Sequence, residues 1–173
     1  MTNKETPKIS LKTLKKIPHE ILLKMITKAK DHLKGDEVMK RICEEYDQDV
    51  EMIDLIPTMF ADLDVSAKTD HGIVYLNYKL LEDGDFFKDY SYLIHEYSHF
   101  FQQCFMDKPT QSADDGSYLD NKFEQEGFQN QIEYIANEFG DNEAHNYVDN
   151  LLEHHEVDGE EKEEKKEILM DRV

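Results

Sequence analysis

The segment that most constrains the fold is Leu93–Gln103, because it combines a strongly apolar surface with a compact polar motif. A helix over these residues carries apolar side chains around most of its circumference, and these are Leu93, Ile94, Tyr97, Phe100, Phe101 and the following Cys104. A helix that is apolar on most sides is buried in the core of a domain. We therefore expect the other elements to pack around this helix, with its one polar face turned inward to a site.

The polar face carries His95, Glu96 and His99 in the order His-Glu-x-x-His. Residues four apart on a helix lie one above the other, so both imidazoles can bind a single ion. Glu96 lies beside the first histidine, close enough to hold a water on that ion. This spacing is typical of a catalytic zinc site, so the motif predicts zinc bound through His95 and His99.

Ahead of the motif, the apolar pattern predicts two helices followed by strands. The spacing of apolar residues predicts a first helix over residues 18–35 and a second helix that Asp36 caps. Between residues 61 and 77 the apolar period drops to two, and a turn signal at 69–72 divides this stretch into two strands. Asp85 is the expected N-cap of the motif helix. The predicted fold class is α+β, mostly helical, with a small β-sheet or hairpin directly before the motif helix.

After the motif, the chain is predicted to form a loop and two further helices. Residues 107–117 contain Pro, Gly and Ser without apolar periodicity, which favours a loop. Asp120 or Asn121 caps the next predicted helix, which ends at Gly140, and a last helix begins at about Asp141.

The length of 173 residues suits one compact domain with charged ends. Residues 1–17 are rich in lysine and only sparsely apolar, so we expect a basic flexible arm. Residues 18–155 form the single predicted domain. Residues 156–173 are a charge run, which is most often a solvated helix or a disordered tail.

The charge distribution bears on partners and location. The net charge is −19, and residues 1–34 hold nine lysines against three acids, a net of +6 that leaves −25 for the rest of the chain. Such an acidic body repels nucleic acid and anionic membranes, so we expect neither as a partner. No apolar run resembles a signal peptide or a membrane span, and Cys43 and Cys104 are too few for a disulfide framework. We expect a cytoplasmic protein whose two thiols are buried and reduced.

The order of two strands, a His-Glu-x-x-His helix, a loop and a further helix resembles the small zincin metallopeptidases. The resemblance is to the Glu-zincin group, including its minimal intracellular and phage-type members, and it covers roughly residues 60–140. It implies a zinc-dependent hydrolysis of peptide bonds in a protein or peptide substrate, with Glu96 as the base that takes the proton of the attacking water. The alternative is a non-catalytic zincin-like binding or structural protein.

The resemblance also implies that the third zinc ligand is a Glu on the following helix. Glu124-Gln-Glu126-Gly127 resembles the family's Glu-x-Glu-small form, and Glu133-Tyr-Ile-Ala-Asn resembles its Glu-x-x-Ala-Asn form. We favour Glu124, because it lies where the helix first returns beside His99, whereas Glu133 lies roughly 13 Å further along the helix at about 1.5 Å per residue. Glu126 and Glu133 remain open as ligands, and so, more remotely, do three histidines: His145, His154 and His155.

Members of the family also need a hydrogen-bond donor for the oxyanion and an edge strand that pairs with the substrate backbone. The candidate donors are Tyr118, Tyr134 and His145, and the candidate edge strand is Gly72–Asn77. The acids expected to border the cleft are Asp107, Asp114, Asp115, Asp120, Glu124 and Glu126. They favour basic peptides, unless the negative charge serves solubility alone.

Overall fold

The computed structural model describes residues 10–82, 86, 89–106 and 118–173, and it confirms a mostly helical α+β fold with one small sheet. None of the helices in these ranges is long and apolar enough to cross a membrane. The α-helices are α1 (Leu11–Leu14), α2 (His19–Lys34), α3 (Glu37–Glu45), α4 (Ser91–Phe105), α5 (Lys122–Phe139), α6 (Asp141–His154) and α7 (Gly159–Leu169). The strands are β1 (Thr58–Ala61), β2 (Ala67–Asp70) and β3 (Ile73–Asn77), and 3₁₀ turns occupy Val50–Leu55, Tyr78–Leu81 and Tyr118–Asp120.

The first two long helices confirm their predicted limits. Helix α2 begins directly after Pro18 and ends before Gly35. Helix α3 begins after Asp36, whose carboxylate accepts the N–H of Met39 at 3.0 Å. A side chain in this position satisfies one of the backbone donors that the first helical turn leaves without partners.

The hairpin is confirmed, but the first predicted strand is wrong. Strands β2 and β3 pair antiparallel around a two-residue turn at His71 and Gly72, whose φ values are 50° and 75°. Positive φ at both positions is typical of the turn that matches the twist of paired strands. Residues 62–66 do not form a strand, because the side-chain amide of Asn77 donates to the carbonyls of Leu63 and Val65, each at 2.9 Å. Strand β1 lies earlier in the chain and pairs parallel with β3.

The strand order β1-β3-β2 corrects the predicted edge strand. The stretch Gly72–Asn77 contains β3, which is bonded on both sides and cannot pair with another chain. The edge strand beside α4 is β2. Gln103 of α4 fixes this edge, because its amide donates to the carbonyl of Thr69 at 3.1 Å and accepts the N–H of Gly72 at 3.1 Å.

Helix α4 is the central helix of the core, as its apolar surface predicts. Its residues 93–102 are buried, and they pack with α2, α3 and the sheet in one hydrophobic cluster. Cys43 is buried as expected, whereas Cys104 is exposed, so the prediction of a second buried thiol is wrong. Cys104 lies near the end of the helix, beyond the buried part. The predicted cap Asp85 and the predicted loop at 107–117 lie outside the described residues.

Helix α5 runs antiparallel to α4. The hydrogen bonds between the two helices follow opposite orders along the chain, and they join Gln102 with Phe123, Ser98 with Asn130, and Ser91 with Gln131. Asn121 caps α5, because its side-chain oxygen Oδ1 accepts the N–H groups of Phe123 and Glu124. This confirms one of the two predicted caps, and α6 likewise begins at Asp141 as predicted.

The charge run at the end of the chain forms a helix that packs on the domain. Leu169 of α7 is buried in a second hydrophobic cluster with α5 and α6. Lys166 pairs with Asp149 of α6 at 2.8 Å. Arg172 donates to the buried side-chain oxygen of Asn130 at 2.5 Å. The last residues of the chain are therefore in contact with the helix that faces α4.

We expect Asn130→Ala to lower the free energy of unfolding by about 2–3 kcal/mol. Asn130 is fully buried, accepts from both Arg41 and Arg172, and donates to Ser98 at 2.9 Å. Its removal leaves Arg41, Ser98 and Arg172 without that partner. Urea denaturation measures the effect. The matched control is Gln129→Ala, which removes an exposed amide bonded to Ile168 and should cost less than about 0.5 kcal/mol. Equal effects of the two substitutions would contradict a special role for Asn130.

Candidate metal centre

Three side chains from two helices converge on one point. The Nε2 atoms of His95 and His99, one turn apart on α4, are 3.0 Å from each other. Glu124, in the first turn of α5, places one carboxylate oxygen 3.1 Å from His95 Nε2 and the other 3.1 Å from His99 Nε2. The three ligand atoms lie within 4.8 Å of one another, and the side chains are at most 15% exposed. This group can hold a metal ion.

The start of α5 determines where Glu124 lies. Because Asn121 caps the helix, Glu124 is in its first turn, where the positive end of the helix stabilises a carboxylate. Gly127 lies one turn further, against the ring of His95. A Cβ atom at Gly127 would be 3.1 Å from Cε1 of that ring, closer than most real contacts. The absence of a side chain at this position allows α5 to approach His95.

The bond of His99 to Gln102 orients the imidazole. The Gln102 amide nitrogen donates to the carbonyl of Phe123 at 3.2 Å, so its oxygen faces His99 Nδ1 at 2.7 Å. An amide oxygen only accepts, so Nδ1 of His99 carries a proton. In the neutral ring, Nε2 then presents its lone pair to His95 and Glu124. A hydrogen bond on the far nitrogen is the usual way in which proteins orient a metal-binding histidine.

The charges of the three side chains favour binding of a positive ion, either a proton or a metal ion. Burial lowers the pKa of His99, but the Glu124 carboxylate outweighs it and raises the pKa to about 9. Burial favours a higher pKa for Glu124, but hydrogen bonds from His95 and His99 hold that pKa well below its usual range. The carboxylate is therefore ionised and a proton is shared with the imidazoles. Metal binding displaces such a proton, which makes the affinity dependent on pH.

The donor set fits a zinc-type ion. Two neutral imidazoles and one carboxylate are the ligands of many catalytic zinc sites. Ligand atoms of a tetrahedral ion with bonds of roughly 2.0–2.1 Å lie about 3.3 Å apart. The distances of 3.0–3.1 Å between the three donors are close to that value.

Glu96 lies next to the three donors but is not one of them. Its Oε2 accepts the hydroxyl of Thr69 at 2.7 Å, from the edge strand β2. Glu96 and His95 both line a cavity of about 320 Å³. Thr69 is a site residue that sequence reasoning missed, because the sequence places it in a predicted turn and shows no sign of its contact with α4.

The structure separates the other candidate carboxylates from this group. Glu133 pairs with Arg41 of α3 at 2.6 Å and does not line the cavity. Glu126 lies near Tyr46, whose pKa burial raises to about 12 with a further contribution from the Glu126 carboxylate. The structure therefore brings Glu124 alone of the three to the histidines.

Of the candidate oxyanion donors and the remaining histidines, some line the cavity and others lie elsewhere. Tyr118 lines the cavity, and the charge of Glu124 adds to the effect of burial in raising the pKa of its hydroxyl. Tyr134 instead bonds His32 at 3.2 Å, and His145 lines a different cleft beside α7. His155 stacks on the ring of Tyr118 and, like His154, is not part of the metal-ligand group. Tyr118 is the one candidate donor of the three that lines the cavity.

Comparison with protein-family models, with curated proteins and with solved structures finds no match for this chain. The resemblance of residues 60–140 to the Glu-zincins therefore stays a prediction drawn from the motif and its setting.

We expect Glu124→Ala to weaken metal binding by more than about 100-fold, because it removes a charged ligand from the group. Glu133→Ala is the matched control on the same helix. It breaks the pair with Arg41 and should lower stability while metal affinity stays within a few-fold of the parent protein. Competition with a zinc-sensitive chelating dye measures both. Equal losses of affinity would contradict the assignment of Glu124.

We expect the stability of the chelator-treated protein to fall as pH rises from about 6.5 to 9. The pKa of His99 is raised in the folded state, so its contribution is fully present below the ordinary pKa of 6.5 and is lost as pH rises through about 9. The loss is on the order of 3 kcal/mol. Urea denaturation at several pH values measures it. His99→Gln should remove this dependence and His145→Gln should keep it, whereas a flat profile in the parent protein would contradict the prediction.

Proposed function

We propose that this protein is a zinc-dependent metallopeptidase. The observation that carries the proposal is that three ligand side chains converge while Glu96 stays outside the group, fixed beside it on the wall of a cavity. A protein that only bound a metal would not need a second, oriented carboxylate at this position. The compartment is proposed to be the cytoplasm, and the substrate a peptide or protein.

The side chains that would hold the ion are His95, His99 and Glu124. A bound zinc ion supplies Lewis acidity, which makes water more acidic and polarises the carbonyl of the scissile bond. The neutral Nε2 of His99 is available for this role because Gln102 fixes the proton on Nδ1. Glu124 would contribute one negative charge, so the site with a bound zinc ion would keep a net positive charge.

Glu96 acts as the general base. Thr69 occupies its Oε2, so Oε1 is the oxygen that accepts the proton of the attacking water. The same oxygen then gives this proton to the leaving amine. The Thr69 bond restricts rotation of the carboxylate, which keeps Oε1 directed at the reacting groups.

Tyr118 donates to the oxyanion that develops on the substrate carbonyl. It lies on the wall of the cavity that Glu96 and His95 also line. Burial raises its pKa above the ordinary range, and the negative charge of Glu124 adds to the effect. The phenol therefore keeps its proton at neutral pH, as an oxyanion donor must.

The edge of β2 binds the substrate backbone. Ala67, the first residue of this strand, and the preceding Ser66 line the same cavity as Glu96. An extended peptide that pairs with a free sheet edge gains main-chain hydrogen bonds that do not depend on its sequence. Thr69 belongs to the same strand, so the element that would bind the substrate also orients the base.

We expect Glu96→Gln to keep zinc bound but to abolish hydrolysis, because an amide cannot accept the proton of the water. Zinc content by mass spectrometry and cleavage of a mixed peptide library test the two parts. Glu126→Gln makes the same chemical change outside the group and should leave both unchanged. His95→Ala should remove zinc.

Two results would contradict the proposed function. Cleavage by the Glu96→Gln variant at the parent rate would rule out Glu96 as the base. A parent protein that takes up no zinc after purification without chelators would rule out the metal site itself.

A further inference from the structure

The cavity beside Glu96 contains a second carboxylate. His95 and Glu96 form one part of its wall, and Asp89 lies in another part together with Gln131 and Tyr147. Asp89 and Tyr147 also line a second cleft, of about 330 Å³. A group that enters beside the candidate metal centre can therefore reach the carboxylate of Asp89.

The charge of Asp89 has no cationic partner in the described part of the chain. Its Oδ1 accepts the backbone N–H of Ser91 at 2.7 Å, at the start of α4. Among residues 10–82, 86, 89–106 and 118–173, this bond is the one hydrogen bond that Asp89 makes. A neutral backbone donor does not compensate a negative charge, so the second oxygen remains available to a ligand.

The charge of Asp89 affects the pKa values of two nearby tyrosines. Burial raises the pKa of Tyr147, and the carboxylate of Asp89 raises it further. The same carboxylate contributes, after burial, to the raised pKa of Tyr134. Tyr147 lines the cavity, so the field of Asp89 extends into that space.

The rest of the wall is rich in aromatic rings, namely Tyr92, Tyr118, Phe128 and Tyr147. Aromatic faces attract cations and also pack against the alkyl stem of a long side chain. The cavity volume of about 320 Å³ is at the lower end of ligand pockets. Such a space suits one side chain of a substrate, held along aromatic walls with a carboxylate beside them.

We propose that Asp89 is the specificity-determining residue of this cavity and that it selects a lysine or arginine side chain of the substrate. This inference rests on the proposed function, since it names the side chain that the metallopeptidase binds. The inference attributes the preference for basic side chains to the carboxylate of Asp89 rather than to the negative charge of the whole protein. Of the acids expected to border the cleft, Asp120 pairs with Lys165 and Glu124 belongs to the candidate metal centre.

The test uses amino-acid hydroxamates, which anchor to a zinc ion and place one side chain beside it. Lysine hydroxamate and norleucine hydroxamate share a four-carbon stem, but only the first ends in an ammonium group. Isothermal titration calorimetry of each probe into the zinc-loaded full chain requires no turnover. We expect the lysine probe to bind about tenfold more tightly than the norleucine probe.

Asp89→Asn should remove this difference without weakening the norleucine probe. Asparagine can still accept the N–H of Ser91, so the start of α4 is preserved. The matched control is Asp64→Asn, which changes the net charge equally at an exposed residue outside the cavity and should keep the tenfold difference. Asp89→Lys should reverse the preference toward glutamate hydroxamate.

Three binding results would overturn the inference: equal binding of the two probes by the parent protein, equal losses in the Asp89 and Asp64 variants, or no binding of either probe to the zinc-loaded protein. A failure of the proposed function is seen separately. Zinc titration before the probes are added shows whether the metal binds, and cleavage of the peptide library shows whether there is turnover. Cleavage without enrichment of Lys or Arg at one fixed position from the cut bond would contradict the role of Asp89 but leave the proposed function standing.

Discussion

The close packing of α5 against α4 is the contact on which the candidate site depends. Glu124 reaches both imidazoles only because α5 passes within van der Waals distance of His95 at Gly127. Metal–ligand distances tolerate deviations of about 0.2 Å, so a side chain at Gly127 that displaced the helix by a few tenths of an ångström would already disturb the group. The lack of a side chain at Gly127 is therefore a condition for the geometry of the three candidate ligands.

The polar groups buried between these helices determine their register. Gln102 bonds both His99 and the carbonyl of Phe123, and Asn130 bonds Ser98. A buried polar group that loses its partner costs roughly 1–3 kcal/mol, so a shift of one helix along the other would break several bonds at once. An apolar interface of the same size would permit small shifts. The interface therefore holds the ligands in one arrangement.

The sheet supports α4, and the end of the chain supports α5. Gln103 holds the hairpin against α4, which places the hydroxyl of Thr69 on Glu96. Arg172 contacts Asn130, so the end of the chain supports the helix that carries Glu124. Elements far apart in the sequence thus orient the base and the third ligand separately, and α4 is common to both.

The sequence by itself determined the local elements: the central helix with His95, Glu96 and His99, the β2–β3 hairpin, and helices that begin at caps such as Asp36 and Asn121. Apolar periodicity and capping act between residues a few positions apart, so one chain suffices to read them. Only the tertiary structure decided that Glu124 rather than Glu126 or Glu133 meets the histidines, that β3 is internal, that Thr69 contacts Glu96, and that Asp89 borders the cavity. These outcomes depend on how helices and strands pack over long sequence separations. Leu63 and Val65 illustrate the difference. Their alternation with polar residues predicted a strand, but the side chain of Asn77 binds their backbone carbonyls instead.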